Sequence, residues 1–128
     1  MRLFNNIILL FLFSFNLISK DPYPKNPNID ILNYSFELHL NDSNDVIYGE
    51  ANIKLKIKPG EKQIRLDLIS KTTDNKGMSI HEVMFNNKKT SFSHQKNVLK
   101  INTEGFDYDV NDILKIKYSG IPITGLVI

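Results

Sequence analysis

Beyond residue 30, apolar and polar residues alternate with a period of two, and turn-forming clusters break the alternation about every ten residues. Successive side chains of an extended strand point to opposite faces, so this pattern builds half-buried strands and cannot build an amphipathic helix. Leu32, Tyr34, Phe36, Leu38 and Leu40 are expected on the core face of a first strand, with Asn33, Ser35, Glu37 and His39 on the other. The polar run Asn41–Asp45 turns the chain. Ala51, Ile53, Leu55 and Ile57 then alternate with Glu50, Asn52, Lys54, Lys56 and Lys58, completing a long antiparallel hairpin. Gly49 in its second arm is expected to mark a bulge or bend.

Pro59-Gly60-Glu61 leads into a third strand carrying Ile64, Leu66 and Leu68. After the glycine-containing loop 74–77, a strand with Ile80, Val83 and Phe85 ends in the turn pair Asn86-Asn87, and Phe92 sits in the short return arm. Another short strand, 98–101, follows the turn 95–97. Leu114, Ile116 and Tyr118 alternate with Lys115 and Lys117 after the acidic turn 107–112. The expected fold is all-β: an antiparallel β-sandwich or saddle of about seven strands behind an N-terminal signal helix.

Residues 1–20 read as that signal. Arg2 supplies a positive charge, and an uncharged apolar run from Ile7 to Ile18 follows; at about 12 residues it is shorter than the roughly 20 a membrane-spanning helix needs. Residues 21–29 carry Pro22, Pro24 and Pro27 and read as a linker into a domain spanning 30–128. A secreted or periplasmic location without a permanent membrane anchor is expected. The chain's last eight residues, from Ile121, are mostly apolar, unlike the polar finish of a completed domain, and suggest a fragment or a docking segment. An incomplete sandwich of this kind is expected to be marginally stable and to associate.

The 128 residues, 41% hydrophobic and 23% charged, suit one globular domain. The chain has no cysteine, which excludes disulfides, thiolate metal sites, cysteine nucleophiles and a lipidated cysteine. A net charge of +2 is too small to point to nucleic acid, and Lys54, Lys56, Lys58, Lys115 and Lys117 are read as a solvated face and not as a nucleic-acid stripe.

Imidazole chemistry would have to come from His39, His81 and His94, which fall in or near three different strands without ligand spacing. His81-Glu82 begins like a His-Glu-x-x-His zinc signature, but its fifth position is Phe85 and its context is a strand. Asp107, Asp109 and Asp112 are explained by turn preference more simply than by a calcium or paired-carboxylate site. Asn33-Tyr34-Ser35 and Asn41-Asp42-Ser43 fit the N-glycosylation pattern. No catalytic, cofactor-binding or metal-ligating residue is assigned.

In their order, several of these segments resemble the N-terminal domain of the aminopeptidase N family of zinc metallopeptidases. The carriers are 31–40 with 48–55, then 64–68, 80–89 and 114–122, closing on Gly125-Leu126. The resemblance implies a β-sandwich or saddle that packs on a thermolysin-like catalytic domain and helps wall the peptide cleft. It also implies that zinc, the zinc helix and the family's Gly-x-Met-x-Asn substrate motif lie beyond this chain, so no family catalytic residue maps onto it. The expected partners are that catalytic domain and a peptide substrate. A freestanding secreted β-sandwich binding or adhesion module is the alternative expectation.

Overall fold

The computed structural model describes residues 25–109 and 111–123. The signal segment 1–20, the start of the linker and the terminal residues 124–128 lie outside the described residues. Eight strands form, with no helix among the described residues: β1 (Ile29–His39), β2 (Ile47–Ile57), β3 (Gln63–Asp67), β4 (Gly77–Phe85), β5 (Lys88–Lys89), β6 (Phe92–Gln95), β7 (Val98–Asn102) and β8 (Asp112–Ile121). The fold is all-β, as the alternation implies.

A five-stranded sheet runs β1-β2-β8-β4-β5 and a three-stranded sheet β3-β7-β6. All strand pairs are antiparallel, and one parallel bridge, Ser70 to Met78, ties the loop after β3 to β4. The count exceeds seven because the arm returning from β4 changes sheets. Lys88-Lys89 pair with β4, and Phe92–Gln95 pair with β7. The crossing is held from both sides: the Thr90 N–H donates to the Val83 carbonyl at 3.0 Å, and the Asn102 N–H to the Ser91 carbonyl at 2.9 Å.

Local chemistry sets the turns. Asn86-Asn87 (φ 47° and 63°) and Lys96-Asn97 (φ 50° and 63°) are two-residue hairpin loops with both central residues left-handed, which matches the right-handed strand twist. At the tip of the β1–β2 hairpin, Asn41 Oδ1 accepts from the N–H groups of Ser43 (3.0 Å) and Asn44 (3.1 Å). The segment entering β1 is also tied down: the side-chain amides of Asn26 and Asn28 donate to Glu61 Oε2 at 3.0 and 3.1 Å.

The core lies between the sheets. Ile53, Leu55, Ile57, Val83, Phe85, Leu114 and Ile116 face Ile64, Leu99 and Ile101, all buried. Removing such side chains from water is the main stabilising term, at about 25 cal/mol per Å² of apolar surface. Phe85 is fully buried and meets Phe106 and Tyr108 edge to face, with ring centroids 5.2 and 6.2 Å away. The Tyr108 hydroxyl in turn reaches the carbonyls of Glu61 and Thr103, anchoring the loop before β8.

Two expectations are corrected. Gly49 is neither bulge nor bend: it pairs in regular register with Leu38 and Tyr118. It is glycine because the Tyr118 ring lies on it; a Cβ there would stand 2.3 Å from Tyr118 Cζ. The bulges fall elsewhere, at Leu32 in β1 and His81 in β4, where the partner strand skips a residue. The Leu32 bulge shifts the alternation. Ile29 and Ile31 before it, and Tyr34, Phe36 and Leu38 after it, stand opposite Ile57, Leu55, Ile53, Ala51 and Gly49 and share their face.

That face of β1 is not half-buried. Tyr34, Phe36 and Leu38 are 51%, 60% and 49% exposed, although Ala51 and Ile53 directly opposite are 4% and 3% exposed. The three-stranded sheet covers β2, β8 and β4 but reaches only the start of β1, where Ile29 and Ile31 pack against the core, and leaves the strand uncovered from Tyr34 onward. The pattern places Tyr34, Phe36 and Leu38 on one face correctly, but it misplaces Leu32, which is bulged, and Leu40, which lies beyond β1, and it cannot give the width of the layer that covers the strand.

Candidate functional site

Where the small sheet stops, an apolar groove of about 520 Å³ opens along β1. Tyr34, Phe36 and Leu38 form one wall, Leu66 and Leu68 the other, and Ala51, Ile116 and Tyr118 lie at its floor and end. Tyr34 and Phe36 stack with parallel rings, centroids 5.9 Å apart. Partial burial raises the Tyr118 hydroxyl above its ordinary pKa. Asp67 is the one charged side chain in the lining. Apart from Asp67 the lining is formed by apolar and aromatic side chains.

The histidines are held apart in separate roles. His39 pairs with Glu37 at 3.1 Å at the exposed end of β1. His94 Nε2 lies 2.9 Å from the Leu68 carbonyl, which only accepts, so that nitrogen carries the proton. His81, the bulged residue of β4, lies 2.6 Å from Ser119 Oγ. This imidazole–hydroxyl pair is a feature sequence reasoning missed, since only the bulge register brings residues 38 positions apart together. It sits on an exposed sheet surface, outside the lining of the groove. Among the described residues no three His, Asp or Glu side chains are gathered for a metal ion.

Lys115 and Lys117 are paired with carboxylates. Lys115 is bonded to Glu50 at 3.2 Å, and Glu82 takes Lys89 at 2.7 Å and Lys117 at 3.3 Å. Glu50 sits below the usual carboxylate pKa, chiefly through the Asn52 side-chain amide and then Lys115; Glu82 does so through Lys89 and then Lys117. Cross-strand pairs of opposite charge stabilise the outer face of the sheet.

Asp112 is fully buried, and its Oδ1 accepts from Asn86 Nδ2 at 2.8 Å and from the Asp109 N–H at 2.9 Å. Asn86 Oδ1 also accepts from the Ile113 N–H at 2.9 Å. One asparagine therefore locks the β4–β5 turn to the start of β8. Asp112 Oδ2 has no hydrogen-bond partner among the described residues.

No protein-family model and no curated protein matches this chain. Solved structures do match its fold. The M1 zinc metallopeptidase from Deinococcus radiodurans superposes with a TM-score of 0.57 at 15% identity, over 74% of this chain and 21% of that one. A variant of that enzyme bound to a Tyr-Ser-Ala substrate gives 0.59 at 14% identity, over 77% and 22%. Native yeast LTA4 hydrolase gives 0.58 at 17% identity, over 80% and 17%. The chain spans about a fifth of the length of these structures. At such identities the likeness is one of fold.

Proposed function

We propose that this chain is the N-terminal, non-catalytic β domain of an exported zinc aminopeptidase, and that its work is to scaffold the wall of the peptide cleft. The observation that carries the reading is the fold likeness to M1 zinc metallopeptidases, which takes in most of this chain and about a fifth of theirs. The ordered resemblance of 31–40, 48–55, 64–68, 80–89 and 114–122 to that family's N-terminal domain supports it independently. Residues 1–20 would direct export.

Among the described residues no set of side chains fits zinc. His39, His81 and His94 are each engaged separately, by Glu37, by Ser119 and by the Leu68 carbonyl, and no carboxylate converges with two of them. In this reading the metal belongs to a following catalytic domain, and the chain contributes burial and alignment. Reading the DNA that follows the Ile128 codon tests it. An in-frame His-Glu-x-x-His supports the proposal; a stop codon there defeats it.

The groove along β1 favours a second reading, a freestanding secreted sandwich that binds an extended protein segment. The same stop codon would leave that reading standing.

A further inference from the structure

We infer that the β1 edge is a self-association site, at which two copies of this chain pair antiparallel about a two-fold axis at Phe36. This goes beyond the peptidase reading and does not rest on it.

The two sheets expose four edge strands among the described residues: β1 and β5 in one, β3 and β6 in the other. An edge strand presents a row of unpaired N–H and C=O groups, and folded proteins guard such rows with short strands, lysines or prolines. Three of the four are guarded or short. β5 is two residues long and both are lysines; β6 has four residues; β3 has five and carries the Arg65–Asp67 pair. β1 has eleven residues and no lysine, arginine or proline. Its neighbouring wall of Tyr34, Phe36 and Leu38 is the large apolar surface the small sheet leaves uncovered.

The sequence of β1 is its own complement. Beyond the bulge at Leu32, the regular run is Asn33–His39, and Phe36 is its centre. A two-fold axis there uses the whole run. It sets Phe36 against Phe36, Tyr34 against Leu38, Ser35 against Glu37 and Asn33 against His39 of the second copy. Groove-face residues then meet groove-face residues and polar meet polar, as antiparallel pairing requires. No like charges stand directly opposite; the two Glu37 side chains are diagonal neighbours, and each already holds His39 of its own chain at 3.1 Å. The product is one continuous sheet in which two apolar walls adjoin.

The cysteine-free chain permits a clean test. Directly opposed residues of an antiparallel pair have Cα atoms about 4.5–5.5 Å apart, within the span of a disulfide. The full chain should sediment as a dimer. Phe36→Cys should form a disulfide-linked dimer at least about ten times faster than Phe92→Cys on the β6 edge, the fold-change being a difference in local pairing. Phe36→Lys, which sets two cations face to face, should weaken the dimer about tenfold or more. Leu38→Lys is the second variant, should Phe36→Lys lose its β-sheet circular dichroism. A monomeric chain overturns the proposal, whatever else covers the groove. So does equal cross-linking at positions 36 and 92, or association that neither lysine weakens, which would assign it to the apolar residues 7–18.

Discussion

Gly120 of β8 passes so close to Gly77 of β4 that a Cβ on Gly120 would stand 2.0 Å from the Gly77 carbonyl oxygen. Gly77 itself holds φ at 93°, and a Cβ there would lie 2.2 Å from the Ser70 carbonyl oxygen. Three backbone segments thus converge where β8 ends, with room for no side chain between them.

Gly120→Ala should therefore destabilise the fold by about 3 kcal/mol, because the clashing atom is backbone and the strands must part. Gly49→Ala meets only the outer end of the Tyr118 ring, which can swing aside, and should cost about 1 kcal/mol. Urea midpoints of the two variants give the comparison. Equal losses would place the tight contact elsewhere.

The partial cover of the large sheet sets a second contrast. Phe85→Ala empties a fully buried site and should cost about 3–5 kcal/mol, whereas Phe36→Ala, on the same sheet but 60% exposed, should cost less than about 1 kcal/mol. Denaturant unfolding of both variants, below the concentration at which the chain associates, measures the difference. Similar losses would mean that β1 is covered in solution.

Asn86 and Asn87 both hold positive φ, at 47° and 63°, so alanine is similarly strained at either position. Asn86 alone donates to the buried Asp112 carboxylate. Asn86→Ala should cost about 1–3 kcal/mol more than Asn87→Ala, because it removes one of the two hydrogen bonds to the buried Asp112 Oδ1 and the acceptor of the Ile113 N–H. Thermal unfolding of the two variants reads it.

Acid should weaken the fold through Glu50, Glu61 and Glu82. Each is held below its ordinary pKa of 4.5, Glu50 and Glu61 first by asparagine side chains and Glu82 first by Lys89. A lowered folded-state pKa means that the unfolded chain binds protons first. The stabilisation is therefore complete above about pH 4.5 and is lost as pH falls through the lower folded values. Glu82→Gln should reduce the loss of stability between about pH 5 and pH 3. An unchanged pH slope would show that the Lys89 and Lys117 contacts do not persist in solution.

The strand run was legible because alternation is a local property. Residues 31–57 declare a hairpin, and Asn86-Asn87 declares a turn, without reference to anything distant. What was not legible depends on register across strands. One extra residue at Leu32 brings Ile29 and Ile31 onto the same face as Tyr34, Phe36 and Leu38, and one at His81 sets that ring against Ser119. Gly49 looked like a bend because the residue that needs its space, Tyr118, is far along the chain. The exposure of Phe36 depends on how far a second sheet extends, and no pattern within β1 encodes that.

We propose that these 128 residues open a longer zinc aminopeptidase. Antibodies raised against the chain can capture the native product, whose mass and activity are then measured together. Expected is a polypeptide several times larger than 14.8 kDa that releases N-terminal residues from peptides and stops when zinc is chelated. A native product of 14.8 kDa or less without such activity would contradict the claim.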